Sequence, residues 1–141
     1  MSDLSYGPLA AELRPLLNKF YRAHRSPMRA GADEQLWVAK ETEIVAALGL
    51  RSIGSHADEG VWLTGLFVAP ALRDRGIASQ LVEVACAEAN GPVWLFCHPT
   101  LGDFYARLGF SPGESLPASL AERFARYQRT KTLVALRRDR Q

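Results

Sequence analysis

Two short runs of the chain combine residue types that can do chemistry. The first, Leu66 to Leu81 (LFVAPALRDRGIASQL), begins as an apolar strand, passes through Arg73, Asp74, Arg75 and Gly76, and opens a helix at Ile77-Ala78-Ser79. A helix N-terminus leaves N–H groups unpaired and carries partial positive charge, so this junction suits a phosphate or pyrophosphate. Gly76 has no Cβ to hold a ligand away from the backbone. Small Ala78 and Ser79 keep the first turn open, and Arg73 and Arg75 offer charge-assisted bonds to phosphate oxygens. A solvated, Arg-rich surface loop is the competing reading of the same residues. The second run is Phe104-Tyr105-Ala106-Arg107-Leu108-Gly109-Phe110. A tyrosine just before a glycine turn can present its O–H at a cleft edge and protonate a leaving group such as a thiolate. It can equally be a core aromatic whose hydroxyl is merely satisfied.

These runs need a scaffold, and hydrophobic periodicity outlines one. Leu4 to Leu9, broken by Gly7-Pro8, fits at most an edge strand. From Glu12 to His24, Leu13, Leu16, Leu17, Phe20 and Tyr21 fall on one helical face, with Pro15 tolerable in the first turn. Leu36–Ala39 and Ile44–Leu50 flank the polar turn Lys40–Glu43 as a hairpin. A second turn spans Ser55 to Gly60, and Val61 to Val68 reads as a strand buried on both faces. The helix that starts at Ile77 is expected to end at Gly91-Pro92. Val93 to Cys97 is a further buried strand. Thr100 is placed to cap a brief helix to Leu108, with Asp103 in a capping-box position. A helix from Pro117 to Tyr127 and a strand from Thr130 to Arg137 complete the chain. Strand, helix and strand in the middle imply a crossover between parallel strands, so the sheet is mixed.

At 141 residues, 48% hydrophobic and 23% charged, the chain fits one globular domain with its own core. A net charge of +2 argues against nucleic acid as the partner, since such domains concentrate a larger basic excess. No apolar run has the length of a membrane span, and Met1-Ser2-Asp3-Leu4 does not begin a secretion signal, so a cytoplasmic location is expected. Cys86 and Cys97 form no close pair and no metal-type cluster, and no metal is expected.

In this order, separated by one strand, the two runs resemble the GNAT family of N-acetyltransferases. Arg73-Asp74-Arg75-Gly76-Ile77-Ala78 matches its pyrophosphate pattern, Arg/Gln-x-x-Gly-x-Gly/Ala, and Phe104 to Phe110 matches its later Phe/Leu-Tyr-x-x-x-Gly-Phe motif. The resemblance implies an α/β fold of the α+β kind: a mostly antiparallel mixed sheet with helices on both faces and a central parallel pair splayed to hold acetyl-CoA. It implies that Leu66-Phe67-Val68 line the acyl donor, with the Leu66 N–H near the thioester oxygen. The amides of Arg75 to Ser79 would hold the pyrophosphate. A primary amine, on a small molecule or a peptide, would attack the thioester directly, and Tyr105 would protonate the departing thiolate. Monomer and homodimer both occur among such proteins.

The match has two departures. Many relatives carry a carboxylate on the strand before the loop; Thr64 and Gly65 stand here. Many carry Asn seven residues before the motif tyrosine; His98 stands here, either as base or water-positioner or as a cap of the strand end or of the helix after Pro99. His56, Asp58 and Glu59 are weaker base candidates in a turn. Phe20, Tyr21, Arg22, Trp37, Trp62 and Tyr127 are candidates for the acceptor pocket, or simply core. Because of the missing strand carboxylate, a CoA-binding sensor without turnover competes with the enzyme reading.

Overall fold

A computed structural model describes residues 4–53 and 60–139, so the expected turn at Ser55 to Gly60, with His56, Asp58 and Glu59, lies largely outside the described residues. The strands are β1 (Ser5–Leu9), β2 (Glu34–Lys40), β3 (Ile44–Ser52), β4 (Val61–Val68), β5 (Val93–Cys97), β6 (Ser111–Pro112) and β7 (Val134–Arg138). The α-helices are α1 (Arg14–Ala23), α2 (Ile77–Ala87), α3 (Gly102–Ala106) and α4 (Ala118–Tyr127). The strands form one mixed sheet in the order β1-β2-β3-β4-β5-β7-β6. Pairing is antiparallel for β1–β2, β2–β3, β5–β7 and β6–β7. It is parallel for β4–β5, registered at Val61–Val93 and Trp62–Trp94. The mixed sheet with its parallel pair is the architecture expected above.

The chain divides into two compact units, one of residues 1–51 and 63–88 and the other of residues 52–62 and 89–141. In the first, α1 lays Leu17, Phe20 and Tyr21 on Leu36 and Val38 of β2 and Ala47 of β3. Those strand residues share one face because side chains alternate along a strand. β2 is buried on both faces, and α2 packs on β1 and β2 as well. In the second unit, Ile53, Trp62, Trp94 and Leu120 form the core, and Phe96 and Tyr127 pack against it.

Several boundaries differ from the sequence expectation, each for a local reason. The α2 helix stops at Ala87, with Glu88 as its C-cap in a right-handed conformation, so Gly91-Pro92 follows the helix without capping it. Thr100 caps nothing: His98 caps the single 3-10 turn Pro99–Leu101, and α3 begins only at Gly102. β7 starts at Val134, because residues 128–131 close α4 through bonds to the carbonyls of Phe124, Arg126 and Tyr127. Thr64 to Phe67 of β4 are half-buried, not enclosed on both faces. Leu16 of α1 and Leu13 just before it, both expected on the apolar helical face, are 52% and 41% exposed. They line, with Leu9, Phe20 and Ile44, an open cavity of about 300 Å³ bordered by the β2–β3 turn.

Leu17 is fully buried at the centre of the first core. Leu17→Ala is expected to cost about 2–5 kcal/mol, read as a lower denaturant midpoint at unchanged slope.

Candidate functional site

Inside β4 the chain takes an unusual step. Gly65 sits at φ +69°, the left-handed region that favours glycine. A Cβ there would also come within 3.1 Å of the Tyr21 hydroxyl oxygen. That hydroxyl donates a 2.8 Å hydrogen bond to the Gly65 carbonyl. In a trans peptide the carbonyl and the following N–H point in opposite directions, so the bond from Tyr21 fixes the direction of the Leu66 N–H. Tyr21 is 2% exposed. Burial, and then the negative charge of Glu34, push its pKa well above the usual tyrosine value, keeping it a neutral donor.

Beyond β4, Val68 leads through a 3-10 turn (Pro70–Leu72) into the exposed loop 73–76. Asp74 at φ +66° and Gly76 at φ +79° are both left-handed, which reverses the chain within three residues. Asp tolerates that conformation better than most residues. Arg73 is turned back on the strand, where its Nε donates to the Val68 carbonyl at 3.0 Å and its guanidinium lies 5.1 Å from the Phe67 ring centre. Arg75 is exposed and forms no ion pair among the described residues. Gly76 is the N-cap of α2, which has no side-chain cap and no acidic residue in its first turn. The first amide closed into the helix is Gln80, bonded to the Gly76 carbonyl. The amides of Ile77, Ala78 and Ser79 therefore form an uncapped positive end, and a Cβ on Gly76 would meet nothing within 4 Å. The three amides, left-handed Gly76 and exposed Arg75 lie together at the start of α2, whereas Arg73 is turned back onto β4, the strand that carries Leu66, Phe67 and Val68.

His98 and Tyr105 belong to the second unit. His98 Nδ1 accepts the Thr100 N–H at 3.2 Å and lies 2.9 Å from Thr100 Oγ1, so this imidazole acts as a cap, leaving only Nε2 for other work. Tyr105 is 6% exposed and packs edge-on against Phe104 and Phe110, with ring centres 4.9 and 5.6 Å away. Its carbonyl accepts the N–H groups of Leu108 and Phe110, and Gly109 at φ +88° makes that turn possible. Phe20, Tyr21, Trp37 and Trp62 are buried core residues, and Tyr127 stacks beside Trp62 and Phe96. Burial pushes the Cys97 thiol up, away from thiolate chemistry. Among the described residues no cluster of His, Cys, Asp or Glu could hold a metal, and no helix is long and apolar enough to cross a membrane.

Sequence reasoning missed Glu34. Its carboxylate accepts the Gly31 N–H at 2.8 Å and the Thr64 hydroxyl at 2.7 Å, placing it beside the left-handed step of β4. A signal was present. Glu34 shares its parity with Leu36 and Val38, the residues that β2 turns toward α1, and Gly49 in mid-strand marks a close approach. A Cβ on Gly49 would collide with the Glu34 carboxylate.

Comparison with known proteins places this geometry. A family model described as an acetyltransferase (GNAT) domain matches residues 32–112, more than half of the chain. No curated protein sequence matches. A GNAT-family acetyltransferase from Staphylococcus aureus Mu50 is similar in structure at a TM-score of 0.68 and 16% identity, over 99% of this chain and 100% of that one. Arabidopsis thaliana Naa50, in complex with the bisubstrate analogue CoA-Ac-MVNAL, gives 0.69 and 16% over 96% and 98%. An acyl-CoA N-acyltransferase from Pseudomonas aeruginosa gives 0.64 and 18% over 96% and 99%. At these identities the structural likeness shows the fold.

Tyr21 offers a direct check on the first unit. The native phenol keeps a proton that the unfolded chain releases above about pH 10, so stability falls as pH rises past that value. Tyr21→Phe is expected to flatten this alkaline slope in chemical denaturation, and to cost about 1 kcal/mol at neutral pH through the lost bond to Gly65.

Proposed function

Because this chain belongs to the GNAT acetyltransferase family, we propose that it transfers an acetyl group from acetyl-CoA to a primary amine by direct attack on the thioester. The observation that carries this reading is the uncapped N-terminus of α2, entered through left-handed Gly76 with open space above it. A pyrophosphate satisfies just such amides. Arg75 is free to approach the phosphates from the loop, while Arg73 braces the corner between β4 and that loop. The thioester supplies the activated acyl group. The chain supplies a fixed N–H at Leu66 to stabilise the oxyanion that develops on attack. Val68 and Phe67 continue the strand edge along which the donor would run.

Tyr105 is the proposed proton donor to the departing thiolate, by its match to the family motif. His98, with Nδ1 engaged in its cap, is left to position water or acceptor through Nε2. The acceptor is proposed to be an amine on a small molecule or a peptide.

Gly76→Trp is expected to weaken acetyl-CoA binding by about tenfold or more in calorimetry, since the indole would stand where the anion docks. Unchanged binding would remove loop 73–79 as the donor site. Tyr105→Phe is expected to lower kcat by about 100-fold with donor affinity retained, measured by free-thiol release. Acetyl-CoA binding without amine-dependent thiol release in the native protein would instead establish a sensor.

A further inference from the structure

Glu34 is a half-buried carboxylate with no ion-pair partner among the described residues. The ion pairs among the described residues are Arg51–Asp33 and Arg137–Asp139, and neither includes it. A carboxylate removed from water needs hydrogen bonds or an opposite charge to offset its desolvation. Two hydrogen bonds are present, from the Gly31 N–H and the Thr64 hydroxyl. A carboxylate accepts about four, so lone pairs on both oxygens remain for a further donor.

The surroundings hold this group deliberately in place. Asn18 of α1 accepts the Ala30 N–H at 2.8 Å, and Arg14 donates to the Ala32 carbonyl at 3.3 Å, pinning the loop that carries Gly31. Gly31 and Gly49 leave the room: a Cβ on Gly31 would lie 2.6 Å from Glu34 Oε1. Thr64 orients the other oxygen from β4, one residue before Gly65 and two before the Leu66 N–H. Tyr21, whose hydroxyl serves the Gly65 carbonyl, feels the Glu34 charge. A carboxylate therefore stands beside the very stretch of β4 that lacks one of its own.

We propose that Glu34 is the general base of the transfer, reaching from β2 to take a proton from the acceptor ammonium. This rests on the acetyl-transfer reading above. The alkylammonium gives one proton to the carboxylate and becomes a neutral amine. Its lone pair forms the C–N bond to the thioester carbon, and the C–S bond breaks with its electron pair leaving on sulfur. The nitrogen loses its second proton as the thiolate gains one. Ammonium and acetyl-CoA thus become amide, free thiol and one proton, which Glu34 returns to solvent.

The test compares the wild type with Glu34→Gln and Thr64→Val. Acceptors are an alanyl peptide, Nα-acetyl-lysine amide, spermidine and benzhydrazide, whose terminal nitrogen is already neutral in the assay. Donor affinity is measured in parallel by calorimetry. For Glu34→Gln, kcat with the alkylamine substrates is expected to fall by about 100-fold or more while acetyl-CoA affinity holds, and the loss with benzhydrazide to stay under about tenfold. Thr64→Val keeps the carboxylate and loses only its orienting hydroxyl, so a smaller fall in kcat is expected; it also serves if Glu34→Gln does not fold. Full kcat in both variants, a rise in KM alone, or an equal loss with every acceptor overturns the base assignment and leaves the transfer reading standing. No acetyl-CoA binding, or no thiol release with any acceptor in the wild type, overturns both.

Discussion

A strand repeats its peptide orientation every two residues, and β4 breaks that repeat at Gly65, where a tyrosine from another element holds the displaced carbonyl. The direction of the Leu66 N–H depends on this bond. Tyr21 can hold the carbonyl only because Leu17 and Phe20 seat α1 against Leu36, Val38 and Ala47. It remains a donor because burial and the neighbouring carboxylate both oppose its ionisation. Packing of α1 is thereby converted into the direction of a single N–H in β4. A core that shifted α1 would move a backbone donor without touching any residue of the motif.

The start of α2 follows a similar logic with different parts. Two left-handed residues, Asp74 and Gly76, turn the chain so that α2 begins with bare amides, and nothing in the helix covers them. The two arginines of the loop divide the work. Arg73 spends its Nε on the Val68 carbonyl and its flat face on Phe67, so it fixes the geometry of the corner. Arg75 stays in solvent, outside the ion pairs among the described residues. A pattern that treats them as equivalent cations conceals this difference.

What could be read from the chain was what is local. The strand from Val61, the loop, Gly76 and the start of α2 are contiguous, so their order carries their geometry. The mixed sheet followed because a strand–helix–strand segment of that length leaves few alternatives to parallel pairing. The cap at His98 was legible as one of two options, and only the position of Nδ1 against Thr100 decided between them. The end of α2 was misplaced because glycine and proline mark where a helix must have stopped, not where it does. Glu34 was invisible as a partner of Thr64 because thirty residues and an intervening strand separate them. No local pattern measures a distance across β3. Only the parity of β2 and the mid-strand glycine hinted at it.

That glycine has a historical consequence. Gly49 is not forced by its backbone, since it lies outside the residues with positive φ; a Cβ there would meet the far end of the Glu34 side chain, which would have to leave its present position. The two positions are therefore linked in sequence. A side chain gained at 49 while glutamate stands at 34 displaces the carboxylate from its bond with Thr64. Divergence at 49 therefore registers at 34 as a carboxylate that is present but no longer aimed at β4.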